Sequence, residues 1–317
     1  MYIYNLKNEK KETTFSLKMV FDYTSAFLTN IPHPYNKIGD GPEGPECAKV
    51  ADNLNQGMKG KMLVSIKLEE KAKHERMDLV PLPRKITNVV SHGKKILFYL
   101  EKSPKDNEEI IIANELLMSG RWSKKKLKWT WFTFILETGE KFFFSESRPF
   151  GRTRVLFTSE QKDTYFSRLG PDLLKNVISK DEWITRFRTM TKRKRKNARP
   201  VLTCDALLEQ NIFCGIGNYL RADIMYVAQI KPDKPVQELT DDELELLRVA
   251  AHTLIRKSYR SSGLTIRDYY DIDGSKGKYV TLVYNQKTDA LGNPVIKSKF
   301  KGKHPTRTVH WVPSVQK

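Results

Sequence analysis

The hydrophobic period changes along this chain, and the change limits the folds open to it. From Lys61 to Thr158 apolar residues come in short or alternating runs: Lys61–Leu68, Ile86–Val90, Lys95–Leu100, Glu109–Leu117, Trp129–Leu136, Lys141–Phe144 and Thr153–Thr158. Turn residues divide these runs, so they predict strands. From Asp181 the spacing turns helical, over Asp181–Met190, Cys204–Glu209, Asn218–Gln229 and Asp241–Tyr259. Tyr279–Trp311 returns to strand spacing around a Leu291-Gly292-Asn293 turn, which predicts a β-hairpin. Strands segregated from helices argue for an α+β chain: an N-terminal β-sandwich with a flanking helix, then a helical domain, then the hairpin. The divisions expected are 1–41 as an appended segment, 42–165, 166–278 and 279–317, with Ser167–Asp172 as a connector.

Charge narrows the partners. Lys and Arg number 56 against 37 Asp and Glu, a formal net charge of +19. A polyanion is the natural partner, nucleic acid ahead of a membrane surface, the alternative being a merely soluble basic protein. The three cysteines, Cys47, Cys204 and Cys214, have neither paired nor metal-type spacing. That predicts an intracellular reducing compartment rather than a disulfide framework. No apolar stretch reaches membrane-spanning length, and residues 1–41 lack the continuous apolar core of a secretory signal.

Pro42-Glu43-Gly44-Pro45-Glu46 opens a helix. Pro45 suits a first helical position, Glu46 complements the positive end of the dipole, and Cys47, Val50, Ala51, Leu54 and Met58 follow at helical spacing. A proline at a true N-terminus carries a secondary amine that can attack an electrophilic carbon, with a nearby carboxylate moving protons. In the sequence as written Gly41 acylates Pro42, and an amide nitrogen is not a nucleophile. A Pro/Gly turn leading into a helix is the plain alternative.

Other segments carry their own chemistry. Gly215-Ile216-Gly217-Asn218 precedes a predicted helix, an arrangement that lets backbone N–H groups grip a phosphate, with Asn218 adding an amide donor. An ordinary helical hairpin with a glycine C-cap reads the same way. Gly93-Lys94-Lys95 opens a strand, with Lys94 and Lys95 expected on opposite faces. Met118-Ser119-Gly120 and Arg148-Pro149-Phe150 sit at strand exits, where Met118 and Phe150 fit either core packing or a hole left in a base stack. Lys192-Arg193-Lys194-Arg195-Lys196 fits a DNA backbone track, a solvated loop or a nuclear-localisation patch.

In this order, with Arg307-Thr308-Val309-His310-Trp311 and Gln316 closing the chain, the motifs resemble the formamidopyrimidine-DNA glycosylase/endonuclease VIII family of base-excision repair enzymes. The likeness runs from Pro42 to Gln316. It implies a bifunctional DNA glycosylase and apurinic/apyrimidinic lyase acting on oxidised bases through a Schiff base, without a cofactor. Pro42 is implied as nucleophile, Glu43 as proton donor, Lys94, Asn218 and Arg307 as phosphate contacts. Met118, Arg148 and Phe150 would fill the vacated stack, and Glu46 would help arrange the DNA-bound site. The family's helix–two-turn–helix would hold Asn218. Most members end in a zinc finger of two Cys-x-x-Cys pairs. Here those positions fall at about Thr288 and Leu291, and at Val312 and Val315, so the resemblance implies a zincless, endonuclease VIII-like finger with a weak lean toward oxidised pyrimidines. Damaged DNA is the implied partner, bound by a monomer. A DNA-binding paralogue without catalysis is the alternative, since Pro42 is internal. A basic RNA-associated protein fits the charge but not the ordered motifs.

Overall fold

The computed structural model describes residues 41–69, 76–102, 107–147, 152–192, 200–264, 274, 276–304 and 307–317. Arg148, Phe150 and residues 193–196 of the basic run lie outside them.

Helix α1 (Gly44–Met58) buries the face that its sequence spacing sets out: Cys47, Val50, Ala51, Leu54 and Met58 are each at most 2% exposed. Eight antiparallel strands follow: β1 (Met62–Leu68), β2 (Arg84–His92), β3 (Lys95–Leu100), β4 (Ile110–Glu115), β5 (Gly120–Ser123), β6 (Thr130–Leu136), β7 (Lys141–Glu146) and β8 (Arg152–Leu156). Their order is β5-β7-β6-β1-β2-β3-β4-β8. The β1–β2 junction is narrow, with register pairs only at Met62↔Lys85 and Leu63↔Arg84, and there the sheet folds over on itself. Phe98 of β3 therefore meets Trp122 of β5 at 5.1 Å and Phe134 of β6 at 5.2 Å between ring centroids. The two halves face each other as the expected sandwich. The indole of Trp122 donates to Asn114 Oδ1 at 3.0 Å, which satisfies the one polar atom buried in this aromatic cluster. Strand β5 was not expected from the sequence, because the lysines that follow it give the segment the composition of a loop.

Helix α2 (Ser159–Phe166) lays Tyr165 and Phe166 against Leu97, Ile111, Ala113 and Leu156 of the sandwich, and the helical half follows with α3 (Lys180–Lys192), α4 (Thr203–Ala206), α5 (Asn218–Val227) and α6 (Asp241–Arg260). Helix α2 falls between the strand expected at Thr153–Thr158 and the connector expected at Ser167–Asp172, where the sequence predicted no element. It buries no residue and is held by its Thr158 cap, whose hydroxyl accepts from Gln161 N at 3.3 Å, so it leaves no apolar stripe to read. Trp183 of α3 stacks on Phe213 at 4.1 Å at the centre of the helical core.

The tail differs from expectation in one respect. Strands β9 (Ile296–Ser298) and β10 (Val309–Trp311) pair antiparallel through residues 299–308, not through 291–293. The Leu291-Gly292-Asn293 turn exists, but it closes a separate bridge between Thr288 and Pro294.

Candidate active site

Six of the residues singled out in the sequence come together. Pro42, Glu43, Lys94, Met118, Asn218 and Arg307 line one cavity of about 420 Å³ where the sandwich meets the helical domain. Each reaches it by a local device. Pro42 and Glu43 immediately precede α1. Lys94 rides the β2–β3 turn, where Gly93 takes φ +56° and donates its N–H to Asp172 Oδ2 at 2.9 Å. A Cβ on Gly93 would strike Cys214, so the turn lies flush against the 214–215 backbone. Met118 stands at the tip of the tight β4–β5 turn, beside Leu117 at φ +47°. Arg307 is exposed and enters from the β9–β10 connection. Lys95, expected on the opposite face from Lys94, also reaches the cavity wall, but its ammonium is paired with Glu115 at 2.6 Å.

The start of α5 is used differently from the expectation. The carboxylate of Glu43 accepts from Gly217 N at 2.6 Å, Tyr219 N at 2.9 Å and Leu220 N at 3.4 Å. The free backbone donors of this helix end, read from the sequence as a phosphate grip, are thus aimed at a carboxylate of the other domain. The helix dipole favours a negative group there, whichever group supplies it. Gly217 is fixed by this contact, since a Cβ would overlap both the Glu43 carboxylate and the Lys94 ammonium. Asn218 keeps its place on the cavity wall, and its Oδ1 makes no hydrogen bond among the described residues. The turn before it is shaped by Gln210, which accepts from Gly215 N and donates to Ile216 O at 2.9 Å.

Glu46, grouped from the sequence with DNA-contacting residues, is fully buried behind Glu43. Its oxygens accept from Glu43 N at 2.8 Å, Leu264 N at 2.6 Å and the Tyr219 hydroxyl at 3.0 Å. It has no surface left for DNA. Burial pushes its carboxyl above the ordinary value, opposed by these donors. Tyr219, Gln210 and Asp172 were missed as site residues, and Gly217 was read only as part of the phosphate grip. Tyr219 falls on the apolar face of a helix and reads as core, and nothing in its spacing marks the hydroxyl.

The terminal finger docks on α5. Arg221, 1% exposed, donates to Thr308 O at 3.0 Å and Cys204 O at 3.2 Å, and so anchors the segment beside Arg307 that leads into β10. The positions that the resemblance gives to paired cysteines hold Thr288, Leu291, Val312 and Val315. Hydrogen bonds close the two turns there. Asp289 accepts from Leu291 N, Asn293 N and Asn293 Nδ2 at 2.8–2.9 Å and from the Tyr226 hydroxyl at 3.0 Å. Gln316 accepts from Val312 N at 2.8 Å and donates to Ile230 O at 3.0 Å. Val312 is fully buried and Leu291 is 64% exposed, so packing replaces a ligand at one of these positions and not at the other. Among the described residues no group of three His, Cys, Asp or Glu side chains is placed to hold a metal ion. Asp289→Ala should cost about 3 kcal/mol, because it removes a buried carboxylate that accepts from Leu291 N, from Asn293 and from the Tyr226 hydroxyl, and so opens the turn. Chemical denaturation followed at the tryptophans checks this, and a change below about 1 kcal/mol contradicts the assigned role.

Two models of one family match the sequence. The formamidopyrimidine-DNA glycosylase N-terminal domain matches residues 41–153 and the corresponding C-terminal domain matches 270–317, together just over half of the chain. The chain belongs to the formamidopyrimidine-DNA glycosylase family. Its relatives include the formamidopyrimidine-DNA glycosylase of Listeria monocytogenes, 26% identical over 292 residues, covering 87% of this chain and all of that protein. The enzyme of Oceanobacillus iheyensis is also 26% identical over 292 residues, covering 87% of this chain and 97% of its own. Among solved structures, the MutM (Fpg) protein of Thermus thermophilus shares the fold with a TM-score of 0.74 at 24% identity, covering 87% of this chain and 98% of its own. A Lactococcus lactis Fpg variant complexed with a Fapy-dG containing DNA shares it with a TM-score of 0.73 at 20% identity, covering 87% of this chain and all of its own. The cavity described above therefore lies within the family's shared fold, at the junction of its two domains.

Proposed function

We propose that this chain is a bifunctional DNA glycosylase and apurinic/apyrimidinic lyase of base-excision repair that removes oxidised bases. The observation that carries the reading is the convergence of Pro42, Glu43, Lys94, Met118, Asn218 and Arg307, from five separate segments, on one cavity. The damaged nucleotide is flipped into that cavity at an unstacking cost of a few kcal/mol. The Pro42 nitrogen, once free as a secondary amine, attacks C1′ and the bond from C1′ to the base breaks, the base leaving with the electron pair. Glu43 supplies a proton to the sugar ring oxygen as the ring opens. The resulting cationic Schiff base acidifies the C2′ hydrogen, and successive eliminations expel the 3′ and 5′ phosphates. Lys94, Asn218 and Arg307 hold the phosphates around the lesion. Met118, with Arg148 and Phe150, takes the space of the missing base. The chemistry needs no cofactor. Thr288, Leu291, Val312 and Val315 favour the zincless, endonuclease VIII-like branch and, with it, oxidised pyrimidines. The second reading, a damaged-DNA-binding chain without catalysis, is favoured by one observation, the peptide bond from Gly41 to Pro42.

An end-labelled duplex with one oxidised pyrimidine tests the proposal. The expected product is a one-nucleotide gap bounded by phosphates at both ends. Tight binding of the lesion with an uncut strand, by a chain that begins at Pro42, would favour the second reading.

A further inference from the structure

Tyr219 touches both carboxylates of the site. Its backbone N–H donates to Glu43 Oε1 at 2.9 Å, while its hydroxyl donates to Glu46 at 3.0 Å. Behind the hydroxyl stands Ser258 of α6, fully buried, with its Oγ 2.9 Å away. Because the phenol has one proton and gives it to a carboxylate, the serine is the donor of that second bond. The chain of donors runs from Ser258 to Tyr219 to Glu46, whose other oxygen holds Glu43 N. Leu264 N completes the shell of Glu46, and Gly263, at φ +85°, leaves no room for a Cβ beside it.

The two ends of α1's first turn are therefore fixed from the helical domain. Glu43's carboxylate is held by the start of α5, and its backbone is held by a glutamate that α5 and α6 hold in turn. A shift of Glu46 moves the Glu43 amide, and with it the Pro42 nitrogen one residue away. We propose that Tyr219, backed by Ser258, is a positioning residue for the reaction: it sets the placement of Pro42 and Glu43 through the buried Glu46 without touching DNA. The proposal rests on the glycosylase reading only for its kinetic consequence. Among the described residues the titratable groups that face Glu46 are Glu43, Cys47, Tyr219 and Tyr279.

Tyr219→Phe removes the hydroxyl and keeps both the backbone bond to Glu43 and the ring packing on Tyr279, whose centroid lies 5.7 Å away. Misplacing reacting groups by a fraction of an ångström to an ångström costs up to about 100-fold. Single-turnover excision by a chain with a free Pro42 should fall about 10-fold or more in Tyr219→Phe, with lesion-DNA affinity within about twofold. Ser258→Ala should lower the rate less, in the same direction. Melting temperatures identify any variant that fails to fold. A second measurement does not depend on activity. The carboxyl carbon of Glu46, assigned by its loss in Glu46→Gln, should titrate at higher pH in Tyr219→Phe, because a donor to the ionised form is gone. An unchanged excision rate, or a rate loss matched by lost affinity, overturns the positioning role. An unchanged Glu46 titration overturns the link itself. A parent chain that excises nothing defeats the glycosylase reading, while the titration still decides whether Tyr219 governs Glu46.

Discussion

Glu43→Gln should slow base removal by about 10²–10⁴-fold while lesion DNA still binds. The amide cannot deliver a proton to the sugar ring oxygen. It also presents an NH₂ group to the N–H donors at the start of α5, where Glu43 offers two acceptor oxygens to Gly217, Tyr219 and Leu220. A mixed outcome separates the two functions. Loss of chemistry with an unchanged melting temperature assigns the defect to proton transfer. Loss of both means that the contact between domains has been broken as well. Single-turnover kinetics beside a thermal melt provide the two readouts, and a variant that excises at the parental rate removes Glu43 from the mechanism.

The other large effect concerns Pro42. Borohydride should trap a covalent complex with abasic DNA from a chain that begins at Pro42, and none from the intact chain that begins at Met1. Two physical obstacles separate the forms. In the intact chain the nitrogen is an amide, without a basic lone pair. In addition, Gly41 packs so closely on the backbone of Leu117 and Met118 that a Cβ would overlap it, so the residue that acylates Pro42 occupies the wall of the cavity that the flipped nucleotide would enter. Equal trapping by the two forms would transfer the nucleophile to another amine, Lys94 on the cavity wall being one candidate.

The sequence made the architecture legible wherever one physical signal dominated. The stripe Cys47, Val50, Ala51, Leu54 and Met58 defines α1 residue by residue, and alternating aromatic runs mark both faces of the sandwich. Strand β5 was hidden because only Trp122 of its four residues is a large hydrophobe, and helix α2 because it buries nothing. For the site, residue types with evident chemistry were readable: a proline beside a carboxylate, a lysine after a glycine, an asparagine at a helix start. What escaped were relations between distant segments. Nothing local to Glu43 shows that its carboxylate will sit on the helix beginning at Asn218. Nothing local to Glu46 separates a DNA contact from a buried anchor, because burial is decided by Tyr219, Ser258 and Leu264, which approach it from more than 170 positions away. Arg221 is similar. Nothing around it in the sequence marks its partners, yet the structure buries it and turns its donors to two carbonyls.

The seat of Glu43 on the start of α5 has a consequence for how such chains can change over time. The bond crosses the junction between the two halves, and Gly217 must stay without a side chain for it to form. Neither half can then drift freely. A substitution that remakes the strand-rich half around Pro42 has to preserve the reach of one carboxylate, and one that remakes the helices has to preserve a bare stretch of backbone to receive it. Chimaeras that join the first half of one relative to the second half of another should keep their folds easily, since each half has its own core. They should keep catalysis only where that single carboxylate and its receiving amides come from partners that still match.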